Sequence, residues 1–212
     1  MNVAEQLVSQ LIDAGVHRVY GIVGDSLNPV VDAIRKSGGS KKGGIDWVHV
    51  RHEEAAAFAA AAEAQLTGKL AVCAGSCGPG NLHLINGLYD AQRSGAPVLA
   101  IASHIPSVQI GQMYFQETHP DRLFNECSVY NEMISSAEQA PRVVNAAIRH
   151  AVELSGVSVI SLPGDVSDLK ASSPSPKYVP SRRPVLAPNE EDVRQLADVL
   201  NRAKKVAIFA GA

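Results

Sequence analysis

A strand-like run from Leu70 to Ala74 enters Gly75-Ser76-Cys77-Gly78-Pro79-Gly80, and a helix-like run follows from about Asn81 to Arg93. A glycine-rich turn between a strand and a helix offers backbone N–H groups to an anion, or lets a flat ring approach the backbone. Its spacing matches neither the Walker loop nor the dinucleotide fingerprint, so the pattern fits a ligand loop and a tight structural turn equally well. The second candidate is Arg51-His52-Glu53-Glu54, between a strand and an alanine-rich helix. Glutamates in a first helical turn commonly do no more than complement the helix dipole. The helix beyond them reads Ala55-Ala56-Ala57-Phe58-Ala59-Ala60-Ala61-Ala62, with so little bulk that another helix or a flat ligand can come close. A carboxylate set in such a packed apolar surface is a candidate acid–base group. His83 falls in the first turn after the glycine loop, as a surface histidine or a site residue. The seven histidines lie at no zinc-ligand spacing and no nucleophile elbow is present, so no metal site is expected.

The elements that must position these residues alternate strand with helix, the pattern of a parallel sheet covered by helices on both faces. Val3 to Ala14 has helical apolar spacing and is ended by Gly15, Val19 to Val23 reads as a strand, and Ser26 is placed to cap a helix to about Lys36. Ser37 to Gly44 reads as a flexible loop. Trp47 to Val50 is a strand, Glu53 to Leu66 a helix stopped by Gly68, and Pro97 to Ala102 a strand. Ser103 to Glu126 has no clear period, and a loop of that length in a compact domain is usually functional. Ser136-Ala-Glu-Gln139 has the form of a capping box for a helix to about Leu154, ended by Gly156, and Val157 to Leu162 is the next strand. The expectation is a doubly wound α/β sheet of about six parallel strands over residues 1–170, with the alanine-rich helix at a subunit interface. Residues 171–188, rich in Ser, Pro, Lys and Arg, read as a linker. A helix from Asn189 to about Arg202 and a strand from Val206 to Ala210 are too little for a domain, so residues 189–212 are expected to begin a second, truncated α/β domain.

Composition narrows the classes. A net charge of −2 without a basic stripe gives no case for nucleic acid. Met1-Asn-Val-Ala-Glu-Gln has no signal-peptide character, and no apolar run approaches a bilayer span of roughly 20 residues. Three cysteines at no paired spacing read as reduced, buried thiols, which points to the cytoplasm.

The run from Val50-Arg51-His52-Glu53-Glu54 through Thr67-Gly68-Lys69 to Gly75–Gly80 resembles the pyrimidine-binding domain of thiamine-diphosphate enzymes. Further matches are Tyr20-Gly-Ile-Val-Gly-Asp25-Ser-Leu-Asn28, Asn86-Gly-Leu-Tyr-Asp90, Phe115-Gln-Glu-Thr-His-Pro120 and Gly156-Val-Ser-Val-Ile-Ser-Leu-Pro-Gly-Asp165. Together they most resemble the flavin-dependent pyruvate oxidase branch, of the pyruvate dehydrogenase (quinone) type. The resemblance implies that Glu53 hydrogen-bonds N1′ of the aminopyrimidine and drives the tautomer shift that lets the ring remove the thiazolium C2 proton. It implies cofactor contacts from Gly24, Asp25, Gly75, Ser76, Pro79 and His83, and a substrate pocket bordered by Phe115 and Gln116. The implied reaction converts pyruvate to acetate and CO2 and passes electrons through FAD to a membrane quinone. The implied Mg2+ and FAD sites belong mainly to domains beyond these residues. A dimer is the implied active unit, within a homotetramer that touches the inner membrane face through sequence beyond Ala212. By itself the chain is therefore expected to be inert. Acetolactate synthase is the nearest rival, since it shares the glutamate, the glycine loop and the Phe-Gln pair. A non-catalytic module that keeps the fold is the third reading, and an intact Glu53 speaks against it.

Overall fold

The computed structural model describes residues 1–174, 176–179 and 187–209. Its contacts cluster into two units, Met1–Ser181 and Arg182–Ala212. The first contains α1 (Val3–Asp13), β1 (Arg18–Gly21), α2 (Asn28–Lys36), β2 (Asp46–His49), α3 (Glu53–Thr67), β3 (Ala71–Gly75), α4 (Pro79–Leu82), α5 (Ile85–Arg93), β4 (Val98–His104), α6 (Pro120–Leu123), β5 (Tyr130–Met133), α7 (Ala140–Leu154), β6 (Val157–Pro163) and α8 (Gly164–Asp168). The strands form a six-stranded sheet in the order β2-β1-β3-β4-β6-β5, and every pairing is parallel.

The doubly wound reading follows from how the strand residues alternate. Val72, Ala74, Leu99 and Ile101 point into the core shared with α1, α2 and α7, while Ala71, Cys73, Val98 and Ala100 point into the core shared with α3 and α5. Central strands β3, β4 and β6 are buried on both faces, as apolar runs under helical cover should be. The alanine-rich helix spends its small side chains inside the chain. Ala56, Ala57, Ala60, Ala61 and Ala64 are buried beside α5, and Ala55, Phe58, Ala62 and Leu66 face outward. Gly68 closes α3 with φ of 65°, a left-handed cap that favours glycine.

Several local expectations are corrected. Ser26 does not cap a helix; it lies in a 3-10 turn, Asp25–Leu27, and α2 starts after it with Pro29 in its first turn. The loop from Ser37 to Gly44 is closed rather than loose. Ser40 N–H and Oγ–H both donate to the Asp46 carboxylate, and Ile45 N–H donates to Ser37 Oγ at 2.9 Å. The helix read from Asn81 to Arg93 is two helices, α4 and α5, and His83 sits at the break. Strand β5 carries Asn131 and Glu132 and lies at the sheet edge, so no apolar run marked it. The Ser136–Gln139 box forms by half: Ser136 Oγ accepts from Gln139 N–H at 3.3 Å, but the return bond is displaced. Gln139 Oε1 accepts from Ser135 N–H and Oγ–H, and α7 begins one residue later with Pro141 in its first turn. Within the long aperiodic segment lie the 3-10 turn Ser107–Gln109 and α6.

The second unit holds α9, Glu190–Arg202. Asn189 caps it, and Asn189 and Asp192 exchange hydrogen bonds at 2.8 and 2.6 Å. Residues 206–209 form no strand, and Ile208 and Phe209 are exposed. Ala210 and most of the linker beyond Val179 lie outside the described residues. Among the described residues, no helix is long and apolar enough to cross a membrane.

Candidate active site

The carboxyl ends of β1, β2, β3 and β4 deliver the candidate residues to one end of the sheet, where open parallel sheets bind ligands. Glu53 is the first residue of α3. His52 precedes it as the N-cap, its Nδ1 accepting the Glu54 N–H at 3.2 Å. Glu53 is only 8% exposed, so its carboxylate is held largely away from water. Its Oε2 lies 3.1 Å from His83 Nδ1. The His83 ring stacks on His52 with centroids 4.4 Å apart. Glu54 is different in kind: its carboxylate faces outward and accepts from Asn86 Nδ2 at 2.6 Å. Adjacent glutamates therefore have one buried and one solvent-side carboxylate.

The other Glu53 oxygen faces the glycine turn. A Cβ at Gly80 would stand 3.2 Å from Glu53 Oε1 and from Ser76 Cβ, tighter than ordinary contact. A Cβ at Gly24 would strike Ser76 Oγ at 2.3 Å. The missing side chains at the two glycines are what let Ser76 and the nearly buried Glu53 carboxylate pack against the turn. Gly78 has φ of 68°, which favours glycine, and it packs against Gln116. The turn is pinned from below. Ser26 Oγ accepts from Cys77 N–H at 3.0 Å and hydrogen-bonds Ser76 Oγ at 3.0 Å, while buried Asn81 donates to Ser103 O at 2.8 Å.

The sequence-derived residues thus fall into groups. Glu53, Gly24, Ser76, Gly80 and His83 meet around one surface, with Gly75 and Pro79 setting the turn. Asp25 is beside them in the wall of an adjoining cavity of about 390 Å³, shared with Ser26, Cys77, His104, Pro106 and Tyr114. Gln116 reaches the turn through Gly78, but Phe115 is 81% exposed and does not line that cavity. Sequence reasoning missed Ser26, the His52–His83 stack and His104. The signal for His104 was available: strand β4 continues two polar residues, Ser103 and His104, past its apolar run and toward the binding end. His52, Glu53 and His83 converge although their spacing along the chain is not that of zinc ligands, because they come from two elements far apart in sequence.

Cys73 and Cys127 carry no nucleophile role that burial would permit. Desolvation pushes Cys73 up to about 12 and Cys127 up to about 11. His104 is buried, and its Nδ1 has no hydrogen-bond partner. Burial holds its pKa below the ordinary 6.5, against the opposing pull of Glu117. The unfolded chain therefore takes up this proton first as pH falls, and stability present above about pH 6.5 is lost below it. Urea midpoints at pH 7.5 and 5.5 check this: the parent should lose more stability on acidification than His104→Gln, and equal losses would contradict it.

A family model described as "Thiamine pyrophosphate enzyme, N-terminal TPP binding domain" matches residues 1–123, more than half of the 212 and all of the surface just described. The chain is 58% identical over 212 residues to an uncharacterized 42.6 kDa protein in the isoamylase 3′ region of Pseudomonas amyloderamosa, covering 99% of this chain and 52% of that one. It is 37% identical over 205 residues to pyruvate oxidase of Lactiplantibacillus plantarum, covering 93% and 32%. It is 32% identical over 212 residues to the acetolactate synthase isozyme 2 large subunit of Escherichia coli, covering 100% and 37%. The chain thus spans about half of the first relative's length and about a third of the other two.

Proposed function

Because this chain belongs to the thiamine pyrophosphate (thiamine diphosphate) enzymes, matching their N-terminal cofactor-binding domain, we propose that it receives the cofactor's aminopyrimidine against Glu53 in an enzyme that oxidatively decarboxylates pyruvate. The proposed products are acetate and CO2, with electrons leaving through FAD to a quinone. One observation carries the cofactor assignment. A nearly buried carboxylate faces a glycine where a Cβ would sit 3.2 Å from Oε1. The residues present fit a hydrogen-bonding ring: Gly80 lets the turn lie close against Glu53, and the Glu53 carboxylate supplies the acceptor. Bound there, the cofactor supplies the electron sink that makes loss of CO2 feasible.

The chain's own groups do the rest. His83 engages Oε2, which leaves Oε1 to hold and return a proton at the N1′ position of the pyrimidine. Burial strengthens that hydrogen bond by keeping competing water away. Ser26, Ser76 and Asn81 hold the turn in place, so the carboxylate and the ring surface meet without rearrangement. Gln116, beside Gly78, and Phe115 next to it are proposed to border the substrate. Mg2+ does not fit here. Among the described residues, the only cluster of metal-ligating side chains in reach of one ion is two imidazoles and one carboxylate, whereas Mg2+ needs oxygen ligands in octahedral array. No step is assigned to it or to FAD in this chain, and both are proposed to bind elsewhere in the enzyme.

Similarity to pyruvate oxidase at 37% and to acetolactate synthase at 32% leaves a carboligase as the competing reading. Full-length protein supplied with pyruvate, thiamine diphosphate, Mg2+, FAD and a quinone analogue separates the two. The expected result is pyruvate-dependent reduction of the quinone analogue with acetate as product. Acetolactate formation without acceptor reduction would overturn the oxidase reading and leave the cofactor assignment standing.

A further inference from the structure

We propose that His52, Glu53 and His83 together form a binding site for a transition-metal dication, Zn2+ being the type ion, and that such an ion ties up the Glu53 carboxylate. One ligand atom from each of the three lies within 4.8 Å of the others. His83 Nδ1 and Glu53 Oε2 are 3.1 Å apart. Around a tetrahedral Zn2+ with bonds of about 2.0–2.1 Å, neighbouring ligand atoms stand about 3.3 Å apart. Two of the three ligands are therefore already at nearly the right separation, and the third needs only a modest tilt of the His52 ring. That tilt is available, because the His52 and His83 side chains are 52% and 45% exposed. The nearly buried carboxylate sits behind them as a fixed anionic anchor.

The chemistry selects the ion. Two imidazoles and one carboxylate suit Zn2+, Cu2+ or Ni2+ and disfavour Mg2+, which prefers oxygen ligands throughout. Three protein ligands leave a fourth position to water. Binding replaces the proton between His83 Nδ1 and Glu53. In the neutral ring that proton moves to Nε2, so no redox change and no other reactant is involved. His52 gives up one neutral hydrogen bond, from Glu54 N–H, if it binds through Nδ1. Buried Cys73 and Cys127 do not compete for the ion in the folded protein. The site stands on this geometry alone and does not depend on the reaction assigned above.

Isothermal titration of ZnCl2, and separately MgCl2, into tag-free protein tests it. One Zn2+ per chain and no saturable Mg2+ binding are expected. His83→Gln keeps the side-chain volume and a hydrogen-bonding group, and should weaken Zn2+ binding about tenfold or more, as should His52→Ala, because each removes one of three ligands. Glu54→Gln should leave it within about twofold, since that outward carboxylate is not a ligand. Absence of saturable Zn2+ binding, or parent affinity in a folded His83→Gln protein, would overturn the proposal.

Discussion

In the full-length protein, Glu53→Gln should lower turnover by roughly 10²–10⁴-fold, the range typical of a positioned acid–base group. The amide has nearly the shape of the carboxylate, so the start of α3 and its packing should survive. What is lost is the ability to hold and return a proton at the ring nitrogen. His83 Nδ1, now 3.1 Å from Glu53 Oε2, can still hydrogen-bond a glutamine there, which separates chemistry from scaffolding. The neighbouring carboxylate is the internal control. Glu54 faces outward toward Asn86, and Glu54→Gln should stay within about threefold of the parent because that carboxylate touches no reacting group. Steady-state kinetics with matched thermal melts reads both variants. A folded Glu53→Gln enzyme that keeps more than about a tenth of its turnover would remove Glu53 from the chemistry.

The second large effect is structural and reaches the same residue through its helix. A Cβ at Gly87 of α5 would meet Ala57 Cβ at 2.5 Å, Phe58 N at 2.7 Å and Ala57 C at 2.8 Å. Two of these are backbone atoms of α3, so no side chain can swing aside and the helices must separate. Overpacking of that kind costs about 1–3 kcal/mol. For a chain of this size each kcal/mol is worth roughly 2–4 °C, so Gly87→Ala should melt about 3–10 °C lower. Since α3 carries Glu53 at its first position, activity in the full-length protein should fall as well, while Gly68, at the far end of α3, keeps its cap. Calorimetry of parent and variant checks the prediction, and a melting temperature unchanged within about 1 °C would show that the helices do not meet as closely as described.

The sheet was legible in the sequence because central parallel strands are apolar on both faces and helices between them repeat at another period. Thus β3, β4 and β6 were found within a residue or two, whereas the polar edge strand β5 was not. Ser26 shows where local reasoning stops. A serine ahead of a helical run reads as a cap, yet its hydroxyl is committed to Cys77 N–H and Ser76, which only the folded chain brings near. Glu53 could be singled out by the alanines after it, but its burial and its contact with His83, thirty positions on, are tertiary facts. The His52–Glu53–His83 cluster was invisible for the same reason: ligand spacing along a chain detects sites built on one element, and this one joins the N-terminus of α3 to the break between α4 and α5.

The central claim is that Glu53 moves a proton on bound thiamine diphosphate, and the exchange of the cofactor's C2 proton reports on that step without any substrate. Exchange into deuterium oxide can be followed by quenched-flow NMR in the full-length parent, Glu53→Gln and Glu54→Gln proteins, each saturated with thiamine diphosphate and Mg2+. The structure predicts fast exchange in the parent and in Glu54→Gln, and exchange slowed by roughly 10²-fold or more in Glu53→Gln. Equal exchange rates in the two variants would contradict the division of labour between the buried and the outward carboxylate.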